Sequence, residues 1–225
     1  MTTKVLRIGS YNIWHAGRVK EDVGAIGRYL SAHRLDLVGL QEVDVGTTRM
    51  NGIDTLAVIA KAGGYPFYAF TKAFDFGGGG YGTAILSRYP ILDAQTVPLY
   101  SANLEPRAFC HAVIDLGDRT LDFFNTHLSN EEHEIRLMQM AQLAEATSAC
   151  ESFVLTGDFN TACLADFAAL QNARTVNPNL FPTYYPDHCA IDHIFLSQNL
   201  FCTEVCMPQT ELSDHYPILV EIRVP

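Results

Sequence analysis

The sequence predicts a single α/β domain in which mixed sheets pack together and are flanked by helices. Three observations predict it. Leu35-Asp36-Leu37-Val38-Gly39-Leu40 is a nearly continuous apolar run between helical periodicities, the mark of a strand covered on both faces. Further strand-like runs follow one another across turns too short for a crossover, as antiparallel neighbours do. The 225 residues hold no internal repeat, low-complexity tract or linker, so residues 1–225 read as one domain with a full core.

Taken in order, Leu6, Ile8 and Ser10 alternate with Arg7, Gly9 and Tyr11, an opening strand that delivers Asn12 at its end. Val23, Ile26, Gly27 and Leu30 recur on one face of a helix. The strand at 35–40 is expected to end at Gln41-Glu42. A second helix is expected over Asp54–Ala62, stopped by Gly63-Gly64. Tyr65–Phe70 reads as a strand, and Gly77-Gly78-Gly79-Gly80 as a mobile surface loop, with no Gly-Lys-Ser/Thr to make it a phosphate cradle. Strands are expected at Gly82–Ser87, Ile91–Leu99, Arg107–Leu116 and Thr120–His127, the turns at Arg88-Tyr89-Pro90 and Gly117-Asp118 making them antiparallel neighbours. Ser129-Asn130-Glu131-Glu132 has the form of a capping box for a long helix with the stripe Leu137, Met140, Ala141 and Ala144. A strand at 153–158, a short helix at Leu164–Leu170, and strands at Ile191–Leu196, Phe201–Met207 and Ile218–Val224 complete the chain.

The formal charge is −10, with 15 Lys and Arg against 25 Asp and Glu. Proteins that grip duplex nucleic acid present a basic face, because phosphate contacts supply most of the affinity. No Lys/Arg cluster suits an anionic membrane either, and no apolar run is long enough to span one. Met1-Thr2-Thr3-Lys4-Val5 lacks the apolar region of a secretion signal, so the chain is expected in the cytoplasm. A monomer is expected. The six cysteines form no Cys-x-x-Cys pair. They read as reduced structural thiols, Cys110 and Cys150 as small hydrophobes; His188, Cys189, Cys202 and Cys206 fit no common zinc spacing.

Polar residues gather where strands stop: Asn12, Glu42, His127, Asp158, Asn160 and Asp192, with Asp214-His215 leading into the last strand. In Gly157-Asp158-Phe159-Asn160 the i, i+2 spacing aims a carboxylate and a carboxamide at one point, oxygen donors suited to a hard cation such as Mg²⁺. Each residue alone has a plain reading: an Asx turn, a cap or a surface loop. Carboxylates to hold a cation, amides that add no further negative charge, and histidines that move protons near neutrality together suit attack on an anionic phosphate ester.

The set resembles the endonuclease/exonuclease/phosphatase superfamily of metal-dependent phosphoesterases, which includes deoxyribonuclease I-like enzymes. The matching stretches are Ser10-Tyr11-Asn12-Ile13-Trp14, Leu40-Gln41-Glu42-Val43, Gly82–Ile91, Asn125-Thr126-His127-Leu128, Gly157-Asp158-Phe159-Asn160, Ile191–Phe195 and Ser213–Ile218, which span essentially the whole chain in the family's order. The resemblance implies a four-layer α/β sandwich, two mixed β-sheets face to face with helices outside and a cleft at the top. It implies that Glu42 is the principal Mg²⁺ carboxylate, with Mn²⁺ as substitute, and that Asn12, Asp158 and Asp214 lie beside it on the metal side. Asp158 and Asn160 would position the attacking water and bind phosphate. His215 would be the general base, or the group that stabilises the phosphorane-like charge, with Asp192 on its other ring nitrogen. His127 would donate to the phosphate. Arg107 is a phosphate contact or a solvated strand arginine.

Trp14 stands where the abasic-site branch has a second acidic or amide residue, and His127 where that branch often has tyrosine. The basic motifs of the inositol-phosphatase branch are missing. The expected function is therefore Mg²⁺-dependent hydrolysis of a phosphodiester or phosphomonoester, with a DNA or RNA nuclease of the same family as the alternative and a catalytically silent binding domain as the third reading. The rim of the cleft is expected at Phe74, Phe76, the Gly77–Gly80 loop, Tyr81, Tyr184 and Tyr185, with burial of these aromatics in the core as the alternative.

Overall fold

Two six-stranded sheets stack face to face in a computed structural model that describes residues 3–225; Met1 and Thr2 of the N-terminal reading lie outside the described residues. The strands are β1 (Lys4–Asn12), β2 (Leu37–Val45), β3 (Phe67–Phe76), β4 (Gly79–Ser87), β5 (Ile91–Leu99), β6 (Arg107–Asp115), β7 (Thr120–His127), β8 (Phe153–Asp158), β9 (Ala173–Thr175), β10 (Asp192–Ser197), β11 (Phe201–Cys206) and β12 (Ile218–Val224). The first sheet runs β11-β12-β1-β2-β4-β3 and the second β5-β6-β7-β8-β10-β9. Helices α1 (Gly24–Ala32) and α2 (Thr55–Gly63) cover the first sheet, and α3 (His133–Ser148) covers the second. This is the four-layer sandwich. Between the sheets lies an apolar layer that includes Leu6, Ile8, Leu37, Phe123, Val154 and Ile222.

The periodic segments form as their patterns require. β12 spans Ile218–Val224 and buries Ile218, Val220 and Ile222. In α2, the Asp54 side chain accepts from Ala57 N, and Gly64 closes the other end at φ 69°, a left-handed cap that glycine enters without strain. The pairs β1–β2 and β7–β8 are parallel, joined across α1 and α3, so Asn12, His127 and Asp158 leave their strands at one edge of the sandwich.

Several local expectations are corrected. β2 does not end at Glu42 but runs to Val45 through an irregularity between Leu40 and Val43, which holds Glu42 at φ 57° and re-aims its side chain. The four-glycine stretch is no mobile loop: Gly77 and Gly78 take positive φ in a tight hairpin, and Gly79 and Gly80 already pair in β4. Arg88-Tyr89-Pro90 is not a hairpin turn either, because β4 and β5 belong to different sheets and the chain crosses the sandwich there. The capping box does not form. Glu132 precedes α3 without a side-chain cap, while Ser129 Oγ accepts from Glu131 N and Gln139 Oε1 takes Ser129 N. On α3, Met140 is buried with Gln139, Leu143 and Thr147, whereas Ala141 is exposed. Residues Trp14–Asp22 form irregular 3₁₀ turns, and β9 is an added edge strand, neither visible as a hydrophobic period.

A buried polar joint ties the two sheets beneath the cleft. Asn125 of β7 donates to Leu40 O (2.8 Å) and Ala84 O (2.9 Å) across the interface, and its Oδ1 accepts from Gln41 Nε2 (2.7 Å) and Thr156 Oγ1 (3.0 Å). Gly39 makes room for it, since a Cβ there would lie 2.1 Å from Thr156 Oγ1 and 2.4 Å from Asn125 Oδ1.

Candidate active site

The strand ends that carry polar residues meet in one cleft of about 530 Å³. Register places Asp158 between two neighbours, opposite His127 on β7 and opposite Asp192 on β10. The first sheet brings Asn12 and Glu42 to the same point. Asn12 Nδ2 donates to Glu42 Oε1 (3.1 Å) and to Asp158 Oδ2 (2.9 Å), so one amide spans the carboxylates of both sheets. Asn12 Oδ1 accepts from Trp14 N (2.9 Å).

Around Asp158 Oδ2 stand two imidazoles, His127 Nε2 at 3.6 Å and His215 Nε2 at 3.8 Å. His215 Nδ1 donates to Asp192 Oδ2 (2.8 Å), and both are buried. Asn160 is left-handed at φ 51°, a conformation asparagine tolerates. Its backbone N donates to Asp158 Oδ1 and its Nδ2 to Leu128 O, both at 2.9 Å. Asp214 lines the cleft with its Oδ1 3.2 Å from Ser213 Oγ, whose hydroxyl donates to Asn12 O (2.8 Å).

Arg107 is not a solvated arginine: it is 5 % exposed and paired with Glu105 Oε1 at 3.0 Å. A guanidinium only donates, so its 2.9 Å contact makes His127 Nδ1 an acceptor. His127 is then neutral and carries its proton on Nε2, facing Asp158 and the cleft. Burial, and next the Arg107 charge, hold its pKa well below the ordinary histidine range.

Electrostatics separate the remaining groups. Burial would raise the Glu42 pKa, but the hydrogen bonds of the His15 ring and the Asn12 amide and the charge of His215 outweigh it and hold the carboxyl below the ordinary carboxylate range. Asp158 is pushed upward, by burial first and by Asp192 next. For His215 burial favours the neutral ring, yet the charge and hydrogen bond of Asp192 prevail and lift it to about 10.

The sequence pattern did not single out His15, whose Nδ1 lies 3.7 Å from Glu42 Oε2, because it sits in irregular turns. Trp14, His15 and Ala16 all have positive φ, as has Glu42, so left-handed non-glycine backbone gathers around the carboxylate. Arg49 was missed as well. It grips the buried Asp44 with Nε and Nη2 (both 2.8 Å) and lies 4.5 Å over the Phe76 ring at the lip of the cleft. Of the expected rim, Phe74, Phe76, Tyr81 and Tyr184 line the cleft, and the Tyr184 ring sits 4.9 Å from that of His215. Tyr185 instead stacks on Tyr216.

Residues 9–215 match the model of the Endonuclease/Exonuclease/phosphatase family. The chain belongs to that family. Its members are hydrolases of phosphate esters, nucleases and phosphatases among them. Solved structures share the fold. A family protein of Beutenbergia cavernae is 20 % identical, with a TM-score of 0.82 over 98 % of this chain and 72 % of its own. TDP2 of D. rerio, solved with a single-strand DNA product, is 17 % identical, with a TM-score of 0.77 over 98 % and 100 %. The mannosyl-6-phosphatase Bt3783 of Bacteroides thetaiotaomicron is 21 % identical, with a TM-score of 0.69 over 96 % and 99 %. No curated protein matches significantly.

The donors in the cleft fit a hard divalent cation. Glu42, Asp158, Asp214 and Asn160 offer oxygen, and no thiolate lines the pocket. Asp158, Asp192 and His215 also form a compact cluster of ligand atoms. Asp192 and His215 are bonded to each other there, which leaves Glu42 the more available charge. No helix among the described residues is long and apolar enough to cross a membrane.

Proposed function

We propose that the chain is a Mg²⁺-dependent phosphoric ester hydrolase, with phosphodiesters as its principal substrates, that recognises a single phosphate. The observation that carries this reading is the placement of two imidazoles on either side of Asp158, with one amide joining Asp158 to Glu42. Glu42 would hold the cation, with Asn12, Asp158 and Asp214 beside it; Mn²⁺ would substitute. When bound, the cation supplies charge neutralisation of the phosphate and of the leaving oxygen.

The chain's own groups divide the remaining work. His127, fixed by Arg107, offers its Nε2 proton to a non-bridging oxygen. Arg107 therefore acts through His127 rather than as an independent phosphate clamp. Asp158, raised in pKa and steadied by the Asn160 backbone, is suited to orient the attacking water and take its proton. His215, kept as an imidazolium by Asp192, supports the second role the family offers it, stabilising the charge that builds on the phosphoryl group. Asn160 and the aromatic lip complete the contacts to phosphate and leaving group.

The test is hydrolysis of bis-p-nitrophenyl phosphate by metal-free protein, with and without added Mg²⁺ or Mn²⁺. Nucleic acids, phospholipid head groups and sugar phosphates are then compared under the same conditions. Turnover only with metal is expected; full activity in excess chelator would refute the assignment. A dominant rate on nucleic acid would make the chain a nuclease, and no turnover on any ester would favour a binding domain.

A further inference from the structure

Away from the cleft, three side chains of different chemistry converge on the outer face of the second sheet. His111 of β6 and Asp122 of β7 are diagonal neighbours across the antiparallel pair, and His111 Nε2 lies 2.6 Å from Asp122 Oδ1. Cys150 follows directly after α3, and its sulfur completes a group whose ligand atoms all lie within 4.8 Å of one another. All three residues are half-buried. The His111 ring is stacked flat on Phe124, 4.3 Å away and 5° from parallel, which fixes where Nε2 points. Asp122 lies near the start of β7, whereas His127 ends that strand at the cleft, so this cluster stands apart from the catalytic groups.

We propose that His111, Asp122 and Cys150 form a second metal site that takes Zn²⁺, with solvent in the fourth position. The ligand set selects the ion. An imidazole, a carboxylate and a thiolate suit a borderline-soft tetrahedral cation and do not suit Mg²⁺, which demands oxygen and octahedral geometry. Ligand atoms in tetrahedral zinc sites sit closer together than 4.8 Å, so binding draws Cys150 inward. Cys150 lies just beyond the helix end, half-buried at the edge of the apolar cluster under α3, with its sulfur 3.9 Å from Ala146 O, so the shift it needs is that of one side chain at the margin of the core. The cation takes the place of the proton shared by His111 and Asp122, and the Cys150 thiol proton leaves to solvent. The site ties the end of α3 to the β6–β7 hairpin, a structural role independent of turnover. The sequence hid it, because the three residues are spaced unlike any zinc motif and Cys150 reads as a small hydrophobe. His188, Cys189, Cys202 and Cys206 form no such cluster among the described residues.

Cobalt substitution tests the proposal, because of the two sites this one places sulfur on the metal, whereas the cleft offers oxygen and nitrogen. One equivalent of Co²⁺ added to the full chain is expected to give a sulfur-to-cobalt charge-transfer band with tetrahedral d–d bands. Cys150→Ser should abolish the charge-transfer band, His111→Gln should lose the tetrahedral spectrum, and Asp122→Asn should weaken binding. Zn²⁺ should raise the melting temperature of the wild-type chain by several degrees more than that of Cys150→Ser, as ligand linkage in a domain of this size requires. Mg²⁺-supported turnover should be the same in both. No sulfur band in the wild type, or a band that survives in Cys150→Ser, would overturn the site and reduce the cluster to a His–Asp ion pair beside a thiol.

Discussion

Glu42 and Asp158 are two carboxylates bonded to the same Asn12 amide nitrogen, yet their surroundings drive them in opposite directions. Glu42 comes from the first sheet at an irregular point of β2, facing His15 and His215, and is held below the ordinary carboxylate range. Asp158 comes from the second sheet at the end of a fully buried strand, with Asp192 opposite, and is pushed upward. Burial acts alike on both, so hydrogen bonds and neighbouring charge decide the difference. A carboxylate held toward its charged form suits a cation, and one pushed toward its protonated form suits a water molecule. Under the proposed function, the joined sheets would thus give two chemically similar groups two roles.

The sharpest way to break this comparison is to remove the charge on one side only. Glu42→Gln keeps the shape and should lower turnover by roughly a thousandfold or more, because several kcal/mol of charge stabilisation would be lost. Added Mg²⁺ should fail to restore the rate while the fold stays intact by circular dichroism. If Glu42→Gln keeps near wild-type rates and Asp158→Asn does not, the roles assigned to the two carboxylates are reversed.

The next largest effect is expected at the histidine. His215→Ala should cost about a hundredfold or more in kcat/KM, and Asp192→Asn added to it little further, because the pair acts as a unit. The pH profile sharpens the point. A step that needs Asp158 deprotonated speeds up as pH rises through its pKa, and a step that needs His215 protonated fails as pH rises through about 10. The Asp192 charge raises both groups, so Asp192→Asn should move both limbs of the profile to lower pH. The limbs belong to the coupled group rather than to single residues. Movement of neither limb, or fully additive losses in the double variant, would separate Asp192 from the site.

A third perturbation strikes the joint that holds the two sides in register. Asn125→Ala leaves Leu40 O, Ala84 O and Gln41 Nε2 without their cross-sheet partner in a buried setting. At about 1–3 kcal/mol per stranded group, the loss should be at least about 3 kcal/mol. In a domain of this size that lowers the melting temperature by roughly 6–12 °C. An unchanged melting temperature would mean that the apolar layer alone joins the sheets.

What the sequence revealed and what it concealed follow from the range of the interactions involved. The stop of α2 at Gly63-Gly64 and the alternation in β12 are local, and they were legible. Glu42 could be placed near a strand end, but its left-handed backbone depends on how β2 pairs with β4. Ser129 to Glu132 carries a capping-box pattern that lost to a tertiary partner, since Gln139 takes the Ser129 amide. The short link at Arg88–Pro90 is compatible with a hairpin; only the pairing of β5 with β6 shows the sheet crossing. The contact between Asp192 and His215 crosses 23 positions and was foreseen only through family resemblance. Arg49 belongs to no hydrophobic period, and its partner Asp44 gave no hint of burial.

The smallest expected effect is that of monovalent salt, and it asks whether the walls of the cleft or its centre recognise the substrate. The chain carries a formal charge of −10. Its two arginines at the cleft are already committed, Arg49 to both oxygens of Asp44 and Arg107 to Glu105. Neither is free to follow a polyphosphate backbone without giving up a carboxylate partner. Each phosphate tracked on duplex DNA releases counterions and steepens the dependence of log affinity on log salt by about −0.9. A cleft that holds one phosphate through His127, His215 and a cation at Glu42 should show a slope shallower than about −2 for duplex DNA, with weak binding at low salt. Turnover of a small diester should change less than about twofold between low and physiological salt, because buried pairs are screened far less than exposed ones. Filter binding and initial rates across that range measure both quantities. Tight duplex binding with a slope near −5, about six contacts' worth, would show that an extended surface grips the nucleic acid and would shift the assignment to a nuclease.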